Sequence, residues 1–347
     1  MDVIVAMSGG IDSSCCLYLL KKCGYRVKGL TLRLEDNYDE SIEKAKTLCK
    51  RFDVEHIVLD YRDEFRKNVI NEFNKQIKTG ITPVPCVVCN RKIKLGKLVD
   101  FCRTNSAKLA TGHYANIKVY KTNGNEEYCI YKAKDLLKDQ THFLCSVKKD
   151  VLKDVLFPLG SLLKSNVFRI AKENNLVQVS EYKESQDVCF LNKKTYADYI
   201  KLLNIKEDSG DIILASSNKK LGEHNGLLKY TIGQRQGFGV AWSEALYVVR
   251  KDFKKNILFV DDKKHLFSNE LKIKNINILS NDILYKNIFD CQVCLRDKTP
   301  IIDATITVDH DRNIATVRLK QPARAITAGQ MCVFYNNNKL LGGGEIF

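Results

Sequence analysis

Residues 6–13, Ala-Met-Ser-Gly-Gly-Ile-Asp-Ser, follow directly on the apolar run Val3-Ile4-Val5-Ala6 and constrain the fold more than any other part of the chain. The order reads strand, glycine turn, helix. Gly9 and Gly10 lack Cβ, so the backbone can bend tightly and approach a ligand closely. Cys15, Cys16, Leu17, Leu19 and Leu20 supply the apolar face of the helix, and Ser13 or Ser14 is expected to cap it. Unpaired N–H groups and the dipole at a helix start favour an anion, and serine hydroxyls fit phosphate oxygens. A phosphate cradle at residues 6–13 is the expectation. Neither G-x-x-x-x-G-K-[ST] nor G-x-G-x-x-G occurs in the chain.

The first half continues the alternation that this opening sets. Strands are expected over 26–34, 55–60 and 108–111, and helices over 12–23, 41–52, 62–78 and 92–104. Such alternation argues for a parallel sheet covered on both faces, with the cradle at the carboxyl end of its first strand. Thr79–Asn90, with its glycine and prolines, reads as a loop. From about residue 196 the segments shorten. From about residue 271 they alternate, as in Ala304-Thr305-Ile306-Thr307-Val308 and Ala315-Thr316-Val317-Arg318-Leu319, which predicts a small antiparallel barrel or sandwich.

The 347 residues carry 56 Lys and Arg against 41 Asp and Glu, a net charge of +15. That balance points to a polyanionic partner, RNA or DNA first. No apolar stretch approaches the roughly 20 residues that span a bilayer, and the chain starts on a core strand rather than a signal segment. A cytoplasmic location is expected, with the 13 cysteines reduced.

Two of those cysteines form Cys86-Val87-Val88-Cys89, ahead of Arg91, Lys92 and Lys94. A thiol near a helix start and cations has its thiolate favoured, which suits a nucleophile, a sulfur carrier or a metal ligand. The second pair, Cys291 and Cys294, lies about 200 residues away, too far for a compact zinc site, and reads as structural. Cys189, in Glu184-Ser185-Gln186-Asp187-Val188-Cys189-Phe190, would by itself be a core cysteine. His113 draws interest because it follows Gly112 at a strand end, and His142 reads as a contact residue at best.

The run S-G-G-x-D-S resembles the PP-loop of ATP pyrophosphatases. AMSGGIDSS, PCVVCNRKIK, LATGHYA, LLKDQTHFLC, ESQDVCF, YTIGQRQGFGV, QPARAITAGQMCVFY and LLGGGEI together occur in the order seen in the tRNA-specific 2-thiouridylases, the MnmA/TrmU family. The resemblance covers essentially the whole chain. It implies an α/β fold with an N-terminal PP-loop domain (1–195), a small central tRNA-binding domain (196–265) and a C-terminal antiparallel β-barrel (266–347). It implies replacement of the C2 oxygen of a wobble uridine by sulfur, with ATP cleaved to AMP and pyrophosphate and Mg²⁺ on the phosphates. The partners implied are tRNA and a sulfur-donor protein.

Carried over residue by residue, the resemblance puts Ala6, Met7, Ser8, Gly9, Gly10, Ile11, Asp12, Ser13, Leu32 and Gly112 around ATP. It makes Cys189 the persulfide carrier and Cys89 the partner that releases the sulfur by forming a disulfide with Cys189. Contacts with tRNA are implied for Val84, Pro85, Cys86, His113, Lys138, Asp139, Gln140, Gln234, Arg235, Arg296, Asp297 and Gln330. The chain departs from the family at three points. Val84 and Cys86 stand where many relatives have Asn and Asp, and Asp297 where Tyr is common. Cys86, Cys89 and Cys189 could therefore hold an iron–sulfur cluster instead of a persulfide. Rival readings are another PP-loop RNA-modifying enzyme and a basic RNA-binding protein without catalysis.

Overall fold

The structure is a computed structural model that describes residues 1–122, 124–176, 188–191 and 195–347. The chain opens with β1 (Asp2–Ala6), α1 (Ile11–Lys22), β2 (Arg26–Arg33), α2 (Asp39–Arg51) and β3 (His56–Asp60). These join β4 (Lys108–Ala110) and β7 (Val155–Leu156) in a parallel sheet of order β3-β2-β1-β4-β7. Side chains of β1 alternate between two cores. Ile4 packs with Leu30, Leu32 and Leu109 on one face, and Val3 and Val5 with Cys16, Leu17 and Leu48 on the other. That two-sided burial is why the strand reads as an unbroken apolar run.

The chain order reverses at β1. It runs outward through β2 and β3, then returns to place β4 on the other side. Open α/β sheets bind ligands at this crevice, beyond the carboxyl ends of the two central strands. The glycine turn after β1 and Thr111-Gly112-His113 after β4 both lie there.

Two expectations from the sequence need correction here. Helix α1 starts after Gly10, and neither serine caps it; the hydroxyls of Ser13 and Ser14 instead donate back to the Gly10 carbonyl, at 3.0 and 2.9 Å. The segment 79–90 is not all loop. A helix begins at Pro85 and continues through Pro85–Cys89, a wide π turn Asn90–Lys97 and Leu98–Thr104. Proline is favoured at the first helical position because its missing N–H has no intrahelical partner to lose. Val84 before it stays out of the helical region, with φ of −116° and ψ of 82°, as proline disfavours a helical residue ahead of it. The Cys86–Cys89 pair therefore sits inside the first turn of a helix, not ahead of it.

A hairpin that sequence reading passed over, β5 (Ala115–Thr122) and β6 (Asn125–Lys132), leaves the first sheet. It lies against the C-terminal part, where Tyr131 pairs with Lys339. A four-stranded sheet follows, formed by β8 (Gly210–Leu214), β9 (Lys219–His224), β10 (Tyr247–Asp252) and β11 (Ile257–Asp261) in the order β10-β11-β8-β9. The last six strands are β12 (Phe267–Ile278), β13 (Ile288–Cys294), β14 (Ile302–Asp309), β15 (Ile314–Arg324), β16 (Met331–Asn336) and β17 (Lys339–Ile346). They pair in antiparallel order β12-β15-β14-β13-β16-β17, and β17 pairs back onto β12 to close a barrel. Closure leaves the barrel no free edge. No helix among the described residues is long and apolar enough to cross a membrane.

Candidate active site

The cradle is built from the turn itself. Gly9 has φ of +72°, and a Cβ there would lie 2.8 Å from the Ser41 carbonyl oxygen, so both conformation and space require glycine. The Ser8 N–H donates to Ser13 Oγ at 3.2 Å, and the two hydroxyl oxygens lie 3.3 Å apart. Gly112 closes the turn from β4, with its Cβ position 3.1 Å from Asp12 Cβ. Leu32, at the end of β2, is buried beside this crevice.

Asp12 is held by partners far along the chain. Lys164 Nζ lies 2.7 and 2.8 Å from its two carboxylate oxygens, and the Tyr114 hydroxyl donates to Oδ1 at 2.8 Å. The Lys164 side chain is only 8% exposed. Its ammonium also lies over the rings of Tyr114 and Phe168, at 5.4 and 5.3 Å. Lys164 opens the helix Lys164–Glu173, where the dipole disfavours a cation. A lysine kept there and buried against one carboxylate marks a site rather than a surface. Sequence reading missed it; its one available signal was a basic residue in the first turn of a helix.

The second half of the site is a group of thiols. Cys86 is exposed, Cys89 buried and Cys189 exposed, and all three are free. Burial pushes the Cys89 thiol up to about 11, with the Lys94 charge opposing and the other two thiols adding. Cys86 and Cys189 keep solvent access, but the protein packed around them still raises both thiols, with Lys94 opposing. Each thiol thus lies within electrostatic reach of Lys94 and of at least one other thiol; this is one of the cations the sequence places near the thiols, but burial outweighs its charge, so the thiols are raised where the sequence led us to expect them lowered. The Tyr38 hydroxyl hydrogen-bonds to Cys189, and burial raises the pKa of this tyrosine. Cys189 starts a short turn, Cys189–Leu191, that aromatic packing anchors. The Phe190 ring meets Phe65, Phe73 and Tyr199 edge-on, with centroids 6.0, 5.1 and 6.0 Å apart. Residues 184–187 of the motif around Cys189 lie outside the described residues.

Glu35 completes this pocket. One of its carboxylate oxygens is buried without a hydrogen-bond partner, and burial raises its pKa; its charge in turn raises the pKa of Cys189.

One residue chain joins the two halves. Asn90 follows Cys89, and its side-chain carbonyl lies 3.1 Å from His113 Nε2. The Asn90 amide donates to the Phe143 carbonyl, which fixes its orientation and makes Nε2 the protonated nitrogen. His113 Nδ1 then accepts from the Thr111 hydroxyl at 2.7 Å. Burial, with the Lys94 charge second, pushes the His113 pKa down to about 3, so the ring is neutral. Both of its nitrogens are committed inside the protein. The residue before it, Gly112, lies beside Asp12, with little room for a larger side chain between them. From thiol to cradle the path is therefore Cys89, Asn90, His113, Gly112, Asp12.

The other residues expected to touch tRNA fall into three sets. Val84, Pro85, Cys86, Arg296, Asp297 and Gln330 gather where the barrel meets the first unit. The Gln330 side chain donates to the Thr82 carbonyl at 3.0 Å, the Thr82 N–H donates to Ala328 at 3.0 Å, and Asp297 acts electrostatically on Cys86. A cleft of about 320 Å³ opens here, lined by Thr82, Tyr230, Lys251, Arg296 and Gln330 among others. Burial pushes the Lys251 pKa down to about 8. Lys138, Asp139 and Gln140 lie apart from this junction. Asp139 accepts from the Ala133 N–H and the Thr141 hydroxyl, and Gln140 from the Tyr114 N–H. Gln234 spends its amide on the turn around Thr231 and Gln236, whereas Arg235 is exposed. His142 is no contact residue; it is 3% exposed, and burial lowers its pKa to about 4.

Among the described residues, one set of three candidate ligand groups gathers as closely as a single metal ion needs: Asp261, Asp262 and His265. Its carboxylates already accept backbone N–H groups of Ser216, Asp262 and Lys264, which explains the set as a capped turn.

Comparison with known proteins covers the chain from end to end. Three family descriptions match in succession: a tRNA methyl transferase HUP domain over residues 1–193, a tRNA methyl transferase PRC-barrel domain over 198–262, and an aminomethyltransferase beta-barrel domain over 268–346. A Hydrogenobaculum sp. protein named tRNA-specific 2-thiouridylase MnmA is 38% identical over 358 residues, spanning 100% of both chains. Its Persephonella marina counterpart of the same name is 37% identical over 361 residues, again spanning 100% of both. The one from Rickettsia felis is 36% identical and spans 99% of this chain and 96% of that one.

Proposed function

The chain belongs to the tRNA-specific 2-thiouridylase family, and from that premise we propose that it makes 2-thiouridine at the wobble position of tRNA in a reaction driven by ATP. A uracil C2 oxygen is a poor leaving group. Transfer of AMP to that oxygen, with release of pyrophosphate, turns its departure into loss of AMP. The glycine turn and the N–H groups of α1 hold the phosphates and offset charge that develops in the transfer. Asp12 is the carboxylate that would help hold Mg²⁺, which would offset phosphate charge during the transfer. Lys164, now paired with Asp12, supplies a cation to the same crevice.

Sulfur comes from Cys189 as a persulfide, formed on an exposed thiol that a donor protein can reach. Its terminal sulfur attacks C2. Cys89 then attacks the Cys189 sulfur, the sulfur–sulfur bond to the base breaks, and a Cys89–Cys189 disulfide forms as AMP leaves. Lys94 favours the thiolate form of both cysteines. The target base must leave the anticodon stack to reach this pocket. The junction residues Val84, Pro85, Arg296, Asp297 and Gln330, together with Lys138, Asp139, Gln140, Gln234 and Arg235, carry the RNA, and His113 orients the wall between base and nucleotide. The functional units run 1–195, 196–265 and 266–347.

The observation that carries this reading is the short path of Cys89, Asn90, His113, Gly112 and Asp12 from sulfur chemistry to phosphate chemistry. Its test is nucleoside analysis of an unmodified tRNA transcript incubated with the protein, Mg-ATP and a small-molecule persulfide. 2-Thiouridine that forms only with ATP supports the proposal; formation without ATP, or none at all, overturns it. A second reading, an iron–sulfur cluster on Cys86, Cys89 and Cys189, draws on the gathering of three thiols around Lys94. Anaerobic purification with iron and sulfide analysis separates the two.

A further inference from the structure

The persulfide route ends with Cys89 and Cys189 oxidised, and a third thiol stands beside them. Cys86 and Cys89 lie three positions apart within one helical turn. In an α-helix that spacing sets the two Cα atoms about 5 Å apart, inside the roughly 4.4–6.8 Å that a disulfide bridges. The spacing also puts both side chains on one face. Exposure divides the three thiols by task. Cys189 is open to a sulfur donor and Cys86 is open to solvent, whereas Cys89, which must reach both, is 7% exposed. A disulfide between Cys89 and Cys189 would leave one sulfur shielded from external reductants and hold the carrier thiol out of use.

We infer that Cys86 is the resolving thiol of this enzyme: its sulfur attacks Cys89 in the Cys89–Cys189 disulfide, a Cys86–Cys89 disulfide forms, and Cys189 is released to take up the next persulfide. This inference rests on the persulfide reading of the site. The exchange is balanced within the protein. The Cys86 thiol loses a proton to solvent and is oxidised, the Cys189 sulfur leaves with the electron pair and takes up a proton, and Cys89 remains at the disulfide level throughout. The exposed Cys86–Cys89 disulfide is then reduced by a dithiol of the C-x-x-C reductase class, which restores all three thiols. Asp297, which acts on Cys86 from the barrel, and Lys94, which acts on all three, bound the space in which the exchange occurs.

The test charges the full-length protein with glutathione persulfide and adds Mg-ATP and unmodified tRNA for one turnover. Free thiols are then blocked with N-ethylmaleimide, and the disulfides are mapped by mass spectrometry. In the unmodified sequence the Cys86–Cys89 linkage should dominate, with Cys189 alkylated. In Cys86→Ser, and equally in Cys86→Ala, the Cys89–Cys189 linkage should accumulate. Steady-state thiolation by these variants should fall about tenfold or more, since an intramolecular thiol is replaced by dilute external ones. Cys86 is exposed, so neither change removes core packing. A Cys89–Cys189 linkage that persists in the unmodified sequence, at the level seen in the variants, overturns the inference and leaves the persulfide reading standing. Thio-product without any disulfide, accompanied by bound iron, overturns both.

Discussion

The proposed phosphate cradle and the thiol pocket are built in opposite ways. The cradle is one stretch of eight residues, and its shape follows from two glycines and the sheet it emerges from. The thiol pocket collects Glu35, Tyr38, Cys86, Cys89, Lys94 and Cys189 from separate segments. What fixes Cys189 there is the Phe190 ring among three other aromatic rings, plus the Tyr38 hydroxyl. A site of the first kind binds a ligand that is the same for every reaction of its class. A site of the second kind can change one member, here Cys86, without dismantling the rest, and so is where chemistry diverges.

The largest effects should separate the two regions completely. Cys89→Ser and Cys189→Ser should each abolish thiolation, while tRNA affinity measured by filter binding stays within a few fold. Full activity of either variant would break the division of labour. Lys164→Met should come next. It leaves Asp12 without its cation and should weaken ATP binding by about tenfold or more in calorimetry, as expected on loss of one charge-assisted contact. Persulfide loading of Cys189 should be unchanged in this variant. ATP affinity equal to that of the unmodified chain would remove Lys164 from the cradle.

Charge within the thiol pocket gives smaller, graded effects. Cys89 ionises at about 11, so the rate of sulfur release should climb about tenfold per pH unit between pH 7 and 9 where its thiolate limits the step. Lys94→Gln removes the charge that lowers this pKa, so the same rate should appear only at higher pH. Glu35→Gln acts in the other direction: without that carboxylate the Cys189 pKa falls, and alkylation of Cys189 by iodoacetamide near pH 7 should quicken. The smallest effect is on stability. His113 ionises at about 3 and His142 at about 4 in the folded chain, both below the roughly 6.5 of an unfolded histidine. Between those values the unfolded chain binds protons that the folded chain does not, so stability is lost as pH falls from about 6.5 toward 4. A melting temperature that does not decline over that window would contradict the neutral, buried state of both rings.

The same contrast explains what could be read from the sequence. The glycine turn after β1 was legible because the residues that form it are consecutive, and the parallel sheet because strand and helix patterns alternate along the first half of the chain. Lys164 was not legible: it reaches Asp12 from 152 residues away, and nothing near it signals a partner. Pro85 was misread as a breaker because proline ends helices more conspicuously than it starts them. The hairpin Ala115–Thr122 and Asn125–Lys132 was passed over because the strand it joins outside the hairpin lies at the far end of the sequence. Serine caps were expected at α1, but the Ser13 and Ser14 hydroxyls turn back to donate to the Gly10 carbonyl inside the first turn.

The central claim is that cradle and thiol pocket serve one uridine in one turnover. The most direct measurement loads Cys189 with radiolabelled persulfide sulfur, adds tRNA and ATP labelled in the α-phosphate, and follows both labels through a single turnover. Equal amounts of AMP and labelled 2-thiouridine, formed together, are the expected result. Thiolated tRNA without matching AMP, or with the sulfur label still on the protein, would contradict the account.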